Sequence, residues 1–388
     1  MLQSGNWKPV RSYFKFENWW LQTEGFLDRV KEWWSSIVCE GRPDFILAFK
    51  LKALKDKLRE WSKTSQGNLA SQKQNVLNQI AELEEVQDQR ALHEDEIQLK
   101  ADLLIEFENL AKFEEISWRQ RSRVNWLKQG DKNTKFFHKT ANSHRRYNNI
   151  DELNVDGEAI KDPELIKKEI IDFYQKLYSE TETWRPSGGC REGHKISEED
   201  NRMLQGEFEN QEIWECVKLC AGDKAPGPDG YTMAFYAHCW EVVGEEVIAA
   251  VKNFYERCFF EKSFNSTYVA LIPKKMGAKK LTDFRPISLI GSVYKIISKV
   301  LTERLKKVMH KLVDTQQLAF IKGRQIMDAI LMANECVDSR IRSKVPGILC
   351  KLDIQKAYDH LNWNFLLETL SKRGFGGRWM RWIKFVVL

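Results

Sequence analysis

The amino-acid sequence predicts a helix-rich α+β protein. From Pro43 to about Ala141, apolar residues recur at the three- and four-residue spacing of amphipathic helices. Further on, short apolar runs such as 266–275 and 347–354 stand between helical patterns, which is typical of strands. Hydrophobic residues make up 43% of the 388 positions, so the chain can bury substantial cores. At this length we expect about two or three domains.

The first segment, residues 7–20, alternates aromatic and polar side chains as a strand does. No preceding segment completes a sheet, and a lone edge strand is only marginally stable. We therefore expect residues 1–40 to be the end of a domain whose body lies outside this sequence.

Residues 41–150 are predicted to form a long helical linker. Pro43 stands where a helix can begin, and a break around Gly67 divides the apolar stripe. The simplest arrangement is two or three long helices folded back on one another, with the stripe serving to pack them.

The end of this linker is strongly basic. Asp131 is the only acid between Ser117 and Tyr147, where aromatic residues are interleaved with cations. The cations are Arg119, Arg121, Arg123, Lys128, Lys132, Lys135, Lys139, Arg145 and Arg146. Cations that neutralise phosphates, beside rings that stack on bases, indicate a nucleic-acid surface. The alternative is a solvated helix face whose aromatic residues belong to the core.

The second half of the chain mixes helices with strands. Residues 151–265 are expected to be mostly helical and to carry the sequence APGPDG at 225–230, whose prolines and glycines form a rigid turn. Residues 266–388 are expected to form a strand, a turn, a long basic helix and further helices on either side of the apolar strand 347–354.

Composition argues against several classes of protein. The N-terminus has no apolar signal sequence, and no apolar run approaches the roughly 18 residues of a membrane span. We therefore expect a nuclear or cytoplasmic protein without a membrane partner. The eight cysteines are interpreted as reduced thiols. The group Cys190, His194, Cys216 and Cys220 fits no strong zinc-binding spacing.

Asp353 is the candidate catalytic carboxylate. It ends a largely apolar run, and a carboxylate at the end of a strand is a common way to hold Mg²⁺ for phosphoryl transfer. The pattern is weak alone, because a phosphatase with an Asp nucleophile is a competitor. Such an enzyme would need a second Asp where Gln355 stands.

Four ordered segments make the pattern specific. They are DKAPGPDGYTMAFYAHCW at 223–240, the stretch from ALIPKK to LTERL at 270–305, DTQQLAFIKGRQIMDAILMANE at 314–335, and CKLDIQKAYDHLNWNFLLETLSKRGFG at 350–376. Together they resemble the reverse transcriptase of non-LTR retrotransposons, in particular the LINE type found in plants. Segments 14–26 and 45–139 resemble the end of that family's endonuclease and its linker to the polymerase.

The resemblance implies a right-hand polymerase fold, with the fingers and a partial palm but no thumb. Asp353 matches the family's first catalytic carboxylate, which binds two Mg²⁺ ions with help from the backbone carbonyl of Ile354. Tyr358 matches the aromatic residue that lies under the sugar of the incoming dNTP and excludes a ribose 2′-hydroxyl.

The same resemblance implies that Lys274, Lys275 and Arg285 bind the dNTP triphosphate from a fingers hairpin. Arginine suits this task through its forked guanidinium. An exposed turn is the alternative interpretation for the two lysines.

Three further residues carry weaker implications. Gly227 in APGPDG and Arg324 in AFIKGRQ match fingers motifs that face nucleic acid, although a plain turn with a surface arginine is an equal alternative at Arg324. Asp359 matches a family residue not usually assigned to metal, and a cap of the following helix is the interpretation we favour for it.

The sequence departs from the family in one respect. It contains no adjacent Asp-Asp pair, which the family uses as its second metal motif. We therefore expect a fragment of an RNA-directed DNA polymerase for target-primed reverse transcription, with RNA template, DNA primer and dNTPs as partners. The 388-residue chain is expected to be inactive alone yet to bind RNA through residues 117–147. The alternatives are a non-catalytic nucleic-acid-binding or helical interaction protein, or the remnant of a decayed element.

Overall fold

The structure, a computed structural model, describes residues 13–64, 68–122, 140, 142–144, 146–180, 184, 193–348, 350 and 359–387. Its helices there are α1 (Phe26–Ser36), α2 (Pro43–Trp61), α3 (Leu69–Gln89), α4 (Glu94–Ser122), α5 (Pro163–Tyr178), α6 (Glu198–Gln205), α7 (Asn210–Leu219), α8 (Met233–His238), α9 (Trp240–Arg257), α10 (Ser292–Leu312), α11 (Ile326–Ser343), α12 (Trp363–Lys372) and α13 (Gly377–Val387). Two antiparallel hairpins pair β1 (Leu153–Val155) with β2 (Glu158–Ile160) and β3 (Thr267–Pro273) with β4 (Phe284–Ile290). The predicted helix-rich character is confirmed.

One large core joins three parts of the chain that lie far apart in sequence. Its buried side chains come from residues 14–61, 196–308 and 375–382. The apolar stripe of α2, including the fully buried Leu47 and Leu54, packs against α9. Each buried leucine of this kind contributes about 1.5–3 kcal/mol through the removal of apolar surface from water. This core holds the N-terminal, middle and C-terminal parts of the described chain together.

The prediction of a strand over residues 7–20 is wrong for the described part. Residues 13–17 have no regular structure, and Asn18–Gln22 forms a 3-10 helix. The consecutive Trp19 and Trp20 are both buried in the large core, whereas a strand at the edge of a sheet with one buried face would bury only one of them.

The helices α3 and α4 form an antiparallel hairpin, as the folded-back linker predicted. Their contact has its own small core, made of Val76, Ile80, Leu103 and Leu110. At the turn, the Arg90 guanidinium donates two hydrogen bonds to the Glu96 carboxylate, at 2.7 and 2.6 Å. This interaction lowers the pKa of Glu96 to about 2.

A third core, also small, crosses the predicted boundary near residue 265. It brings Leu153 of β1 and Ile166 of α5 against Leu281 and Phe284 of the β3–β4 hairpin. The unit formed by β1, β2 and α5 is therefore packed onto that hairpin. The division into domains at residues 40, 150 and 265 remains a prediction.

The remaining helices follow the sequence patterns closely, including α10 after the turn at Gly291 and α11 up to Ser343. Cys216 in α7 is buried, and burial raises the pKa of its thiol to about 12, so it serves as a neutral core side chain. The described helices include none that combines the length and the hydropathy needed to cross a membrane.

Candidate functional site

The β3–β4 hairpin presents three of the predicted site residues. Lys274 and Lys275 directly follow β3, and Arg285 is the second residue of β4, paired with Ile272. The Lys274 backbone N–H donates to the Asp283 carbonyl at 2.7 Å, and its ammonium donates to the Thr282 carbonyl at 2.8 Å. These hydrogen bonds and the strand pairing fix the backbone positions of Lys274 and Arg285 in the hairpin.

Lys274 and Arg285 line one cavity of about 180 Å³ together with Asp359. We call this space the hairpin cavity. Its other walls are Tyr174 and Leu177 of α5 and apolar residues of the hairpin. Three predicted site residues from two distant motifs are thus brought together. The two cations can bind the oxygen atoms of an anion, whereas the carboxylate of Asp359 opposes such binding.

Lys275 does not line the hairpin cavity. Its ammonium lies 3.0 Å from the Asp283 carboxylate, and this hydrogen bond lowers the pKa of Asp283. The two adjacent lysines therefore lie in different surroundings, since Lys275 pairs with an acid and Lys274 lines the cavity.

Asp359 does not cap the following helix, so the favoured interpretation of this residue is wrong. The cap of α12 is Asn362, whose side-chain oxygen accepts from the Phe365 N–H at 2.9 Å. Asp359 instead lies near α5. Burial, the neighbouring Tyr178 and the charge of Asp359 raise the pKa of Tyr174, and burial and then the charge of Asp359 raise the pKa of Tyr178.

Several predicted residues lie outside the described residues. These are Asp353, Ile354, Tyr358, Arg123, Lys128, Lys132, Lys135, Lys139 and Arg145. Within the part of the chain that is described, no three His, Cys, Asp or Glu side chains form a group that could hold a metal ion.

The APGPDG loop is held tightly between other segments. A Cβ on Gly227 would lie 2.5 Å from the Ile290 carbonyl carbon, so only glycine allows the loop to approach the start of α10 this closely. Gly230 has a φ of +81°, and a Cβ there would lie 2.5 Å from the Phe14 ring. The glycines of this motif thus serve packing in the structure, and contact of Gly227 with nucleic acid remains a prediction.

Asp229 in the same loop acts as a cap from outside the helix. Its carboxylate accepts from the backbone N–H of Ser292, the first residue of α10. Its second oxygen is buried without a hydrogen-bond partner, and burial raises its pKa. The charge of Lys295 in α10 lowers the pKa of Asp229. The charge of Asp229 in turn raises the pKa values of Lys295 and of Lys55 in α2, against the effect of burial on both.

The basic end of α4 has two described arginines with different surroundings. Arg121 pairs with Glu17 at 3.1 Å and lies over the Trp118 ring at 5.1 Å. Arg119 is exposed and lines a groove of about 510 Å³ together with Lys224 and Lys295. Between α4, the APGPDG region and β4, this α4 groove gathers three cations against one acid, Asp223.

Arg324 and Arg146 complete the described site residues. The Arg324 guanidinium donates to the backbone carbonyls of Val313, Asp314 and Gln317 and so closes the loop that follows α10. This favours the structural alternative for Arg324. Arg146 is exposed.

Sequence reasoning missed three residues that line these sites: Tyr174, Lys224 and Lys295. Tyr174 gave no signal, because it stands in an ordinary amphipathic helix about a hundred residues before the hairpin. Lys224 directly precedes APGPDG and could have been included with that motif.

Known proteins are similar to parts of this chain, and one of them to nearly all of it. Residues 272–387 match the family described as reverse transcriptase (RNA-dependent DNA polymerase). The chain is 25% identical, over 97% of its length, to the transposon TX1 uncharacterized 149 kDa protein of Xenopus laevis, of which it covers 29%.

Two further relatives are Pol polyproteins of retrotransposable elements. The retrovirus-related Pol polyprotein from type-1 retrotransposable element R1 of Bradysia coprophila is 26% identical over 46% of this chain and 18% of its own length. The corresponding polyprotein from element R2 of Nasonia vitripennis is 26% identical over 44% of this chain and 16% of its own length. The chain thus spans less than a third of the length of these relatives. Its residues 272–387 match the reverse transcriptase family, and its resemblance to the LINE-type reverse transcriptases of non-LTR retrotransposons is confirmed.

Proposed function

We propose that the chain is part of an RNA-directed DNA polymerase that extends a DNA 3′ end on an RNA template during target-primed reverse transcription. The observation that carries this proposal is the hairpin cavity, where Lys274 and Arg285 lie together within the segment that matches the reverse transcriptase family. In this proposal the β3–β4 hairpin belongs to the fingers of a right-hand polymerase, and residues 347–388 belong to the start of its palm.

The dNTP triphosphate is the proposed anion of the hairpin cavity. Two cations on a rigid hairpin bind phosphate oxygens with little loss of conformational entropy, and the guanidinium of Arg285 can donate two parallel hydrogen bonds. Tyr358 would lie under the sugar of the same nucleotide and exclude a ribose 2′-hydroxyl.

Mg²⁺ would be held by the Asp353 carboxylate and the Ile354 carbonyl, which are the oxygen ligands that this ion prefers. Bound there, the metal would neutralise charge on the triphosphate and activate the primer 3′ oxygen. The part that described residues play in this site is to grip and orient the triphosphate.

The RNA template is proposed to lie along the basic surface at the end of α4. Arg119, Lys224 and Lys295 line the α4 groove, and the other cations of residues 117–147 continue that charge along the sequence. Because such binding releases counterions, it should weaken as salt is added.

The same groove supports a second candidate function, a nucleic-acid-binding protein without polymerase activity. The two candidates differ at the hairpin cavity. A protein that only binds RNA has no use for a triphosphate site, so nucleotide binding separates them.

The test is the affinity of the 388-residue chain for dTTP with Mg²⁺, measured by calorimetry. We expect Arg285→Ala to weaken binding by about 10- to 100-fold, because hydrogen bonds to a charged group are lost. Lys275→Ala is the matched control and should stay within about twofold of the wild type, since its charge is balanced by Asp283.

Equal dTTP affinities of the wild type and the Arg285→Ala variant would contradict the polymerase proposal. If RNA binding at the same time fell with rising salt, the second candidate would be favoured.

A further inference from the structure

Tyr174 places a phenol in the wall of the hairpin cavity. It belongs to α5, which lies outside residues 272–387 that match the reverse transcriptase family. The cavity therefore combines the hairpin with a side chain from a different part of the chain. Lys274, Arg285 and Tyr174 are three donors around a space of about 180 Å³.

The unit of β1, β2 and α5 contacts the β3–β4 hairpin and its turn. The Asn154 N–H donates to the Lys279 carbonyl at 2.7 Å, and the Lys279 ammonium lies 2.7 Å from the Glu152 carboxylate. Ile166 of α5 is buried against the hairpin in the small core that it shares with Leu153, Leu281 and Phe284. Tyr174 is thus carried by a helix that is attached to the same hairpin as Lys274 and Arg285.

The far side of the cavity is tied to α5 as well. Asn362 stands three residues after Asp359, and Glu180 stands two residues after the end of α5. The Asn362 amide donates to the Glu180 carboxylate at 2.8 Å. Asn362 therefore lies against the chain just beyond the end of α5.

The Tyr174 side chain is stacked on a neighbouring ring and stays protonated. Its ring stacks on that of Tyr178, with centroids 5.9 Å apart and planes at 27°. Burial, the neighbouring Tyr178 and the charge of Asp359 raise its pKa above the ordinary value. At neutral pH its hydroxyl can donate a hydrogen bond.

We propose that Tyr174 is a binding residue for the nucleotide triphosphate, with its hydroxyl donating to a phosphate oxygen that Lys274 and Arg285 also hold. This inference rests on the proposed function and extends the triphosphate site to α5. A phosphate oxygen could also come from a nucleic-acid backbone. The small volume of the cavity favours the phosphates of one nucleotide over a strand that passes through.

The test compares Tyr174→Phe with Tyr178→Phe in the 388-residue chain. Each change removes one hydroxyl and keeps the ring, and Tyr178 stacks on Tyr174 without lining the cavity. The probes are dTTP with Mg²⁺, inorganic tripolyphosphate, and an oligothymidylate that carries no triphosphate. Arg285→Ala is measured beside them, and thermal denaturation checks that each variant is folded.

We expect Tyr174→Phe to weaken the binding of dTTP and of tripolyphosphate by about tenfold, the value of one hydrogen bond to a charged group. Tyr178→Phe should leave both affinities unchanged, and neither change should alter oligothymidylate binding.

Four results would overturn the inference, and they identify what has failed. If Arg285→Ala weakens dTTP binding and Tyr174→Phe does not, the role of Tyr174 is wrong while the proposed function stands. The same holds if Tyr174→Phe affects only the oligothymidylate, or if Tyr178→Phe has an equal effect through a loosened helix. If Arg285→Ala also leaves dTTP affinity unchanged, the proposed function fails and the inference fails with it.

Discussion

The APGPDG loop and the hairpin cavity both contain residues of recognisable sequence motifs, but the loop is packed against other segments while the cations of the cavity are exposed. The loop is enclosed by the N-terminal segment, α2 and α10, and its glycines and Asp229 are occupied by packing and capping. In the cavity, Lys274 and Arg285 are exposed at the end of a rigid hairpin. The comparison teaches that a recognisable motif can mark a structural joint as readily as a binding site.

The loop joins segments that are distant in the chain. The Phe16 N–H donates to the Gly230 carbonyl at 2.8 Å, and the Tyr231 hydroxyl donates to the Leu51 carbonyl at 2.8 Å. A defect in the loop should therefore weaken the whole core, whereas a defect in the cavity should weaken ligand binding alone.

The largest expected effect is that of Gly230→Ala on stability. A Cβ at this position meets the Phe14 ring and carbonyl, and alanine also resists a φ of +81°. We expect the free energy of unfolding to fall by about 2–5 kcal/mol, measured by urea denaturation.

Gly277→Ala is the matched control for that change. Gly277 lies in the hairpin turn with a φ of +69°, but nothing lies within 4 Å of the position of its Cβ. Only the cost of the backbone conformation remains, about 1 kcal/mol. Equal losses from the two substitutions would show that the loop is not the tight joint described.

A smaller effect is expected from Asp229→Asn, and it depends on pH. Burial raises the pKa of Asp229 in the folded protein, so the unfolded chain ionises first as the pH rises. The contribution of the aspartate is therefore most favourable below the ordinary carboxyl pKa and declines as the pH rises toward the raised value. Asparagine does not titrate and lacks this decline.

The measurement is the difference in unfolding free energy, variant minus wild type, across this pH window. We expect the difference to increase with pH. The hydrogen bonds from Ser292 and the charge of Lys295 oppose the effect of burial on the pKa of Asp229, and if they dominated, the difference would decrease instead.

The sequence allowed most of the helices to be predicted, because their apolar residues follow one period over many turns. The N-terminal aromatic segment misled for a physical reason. Its alternation holds for Phe14 and Phe16, but Trp19 and Trp20 are buried side by side through tertiary packing. The local sequence pattern contains no information on whether such a segment will pack against a loop that is distant in the chain.

The candidate site was predictable where a motif carried it. Lys274 and Arg285 were identified by resemblance, and the structure brings them together with Asp359. The roles of neighbours were not predictable in the same way. Adjacent lysines differ because only Lys275 meets Asp283, and the capping of α12 falls to Asn362 because the helix begins at Trp363.

The central claim is that α5, the β3–β4 hairpin and the turn at Asp359 form one triphosphate site. The most direct test is photo-crosslinking of the 388-residue chain with dTTP that carries an azidoanilide on its γ-phosphate, followed by peptide mapping. We predict labelled peptides from residues 170–180, 274–285 and 359–362, with labelling suppressed by unmodified dTTP. Labelling confined to the APGPDG loop or to the α3–α4 hairpin would contradict the account.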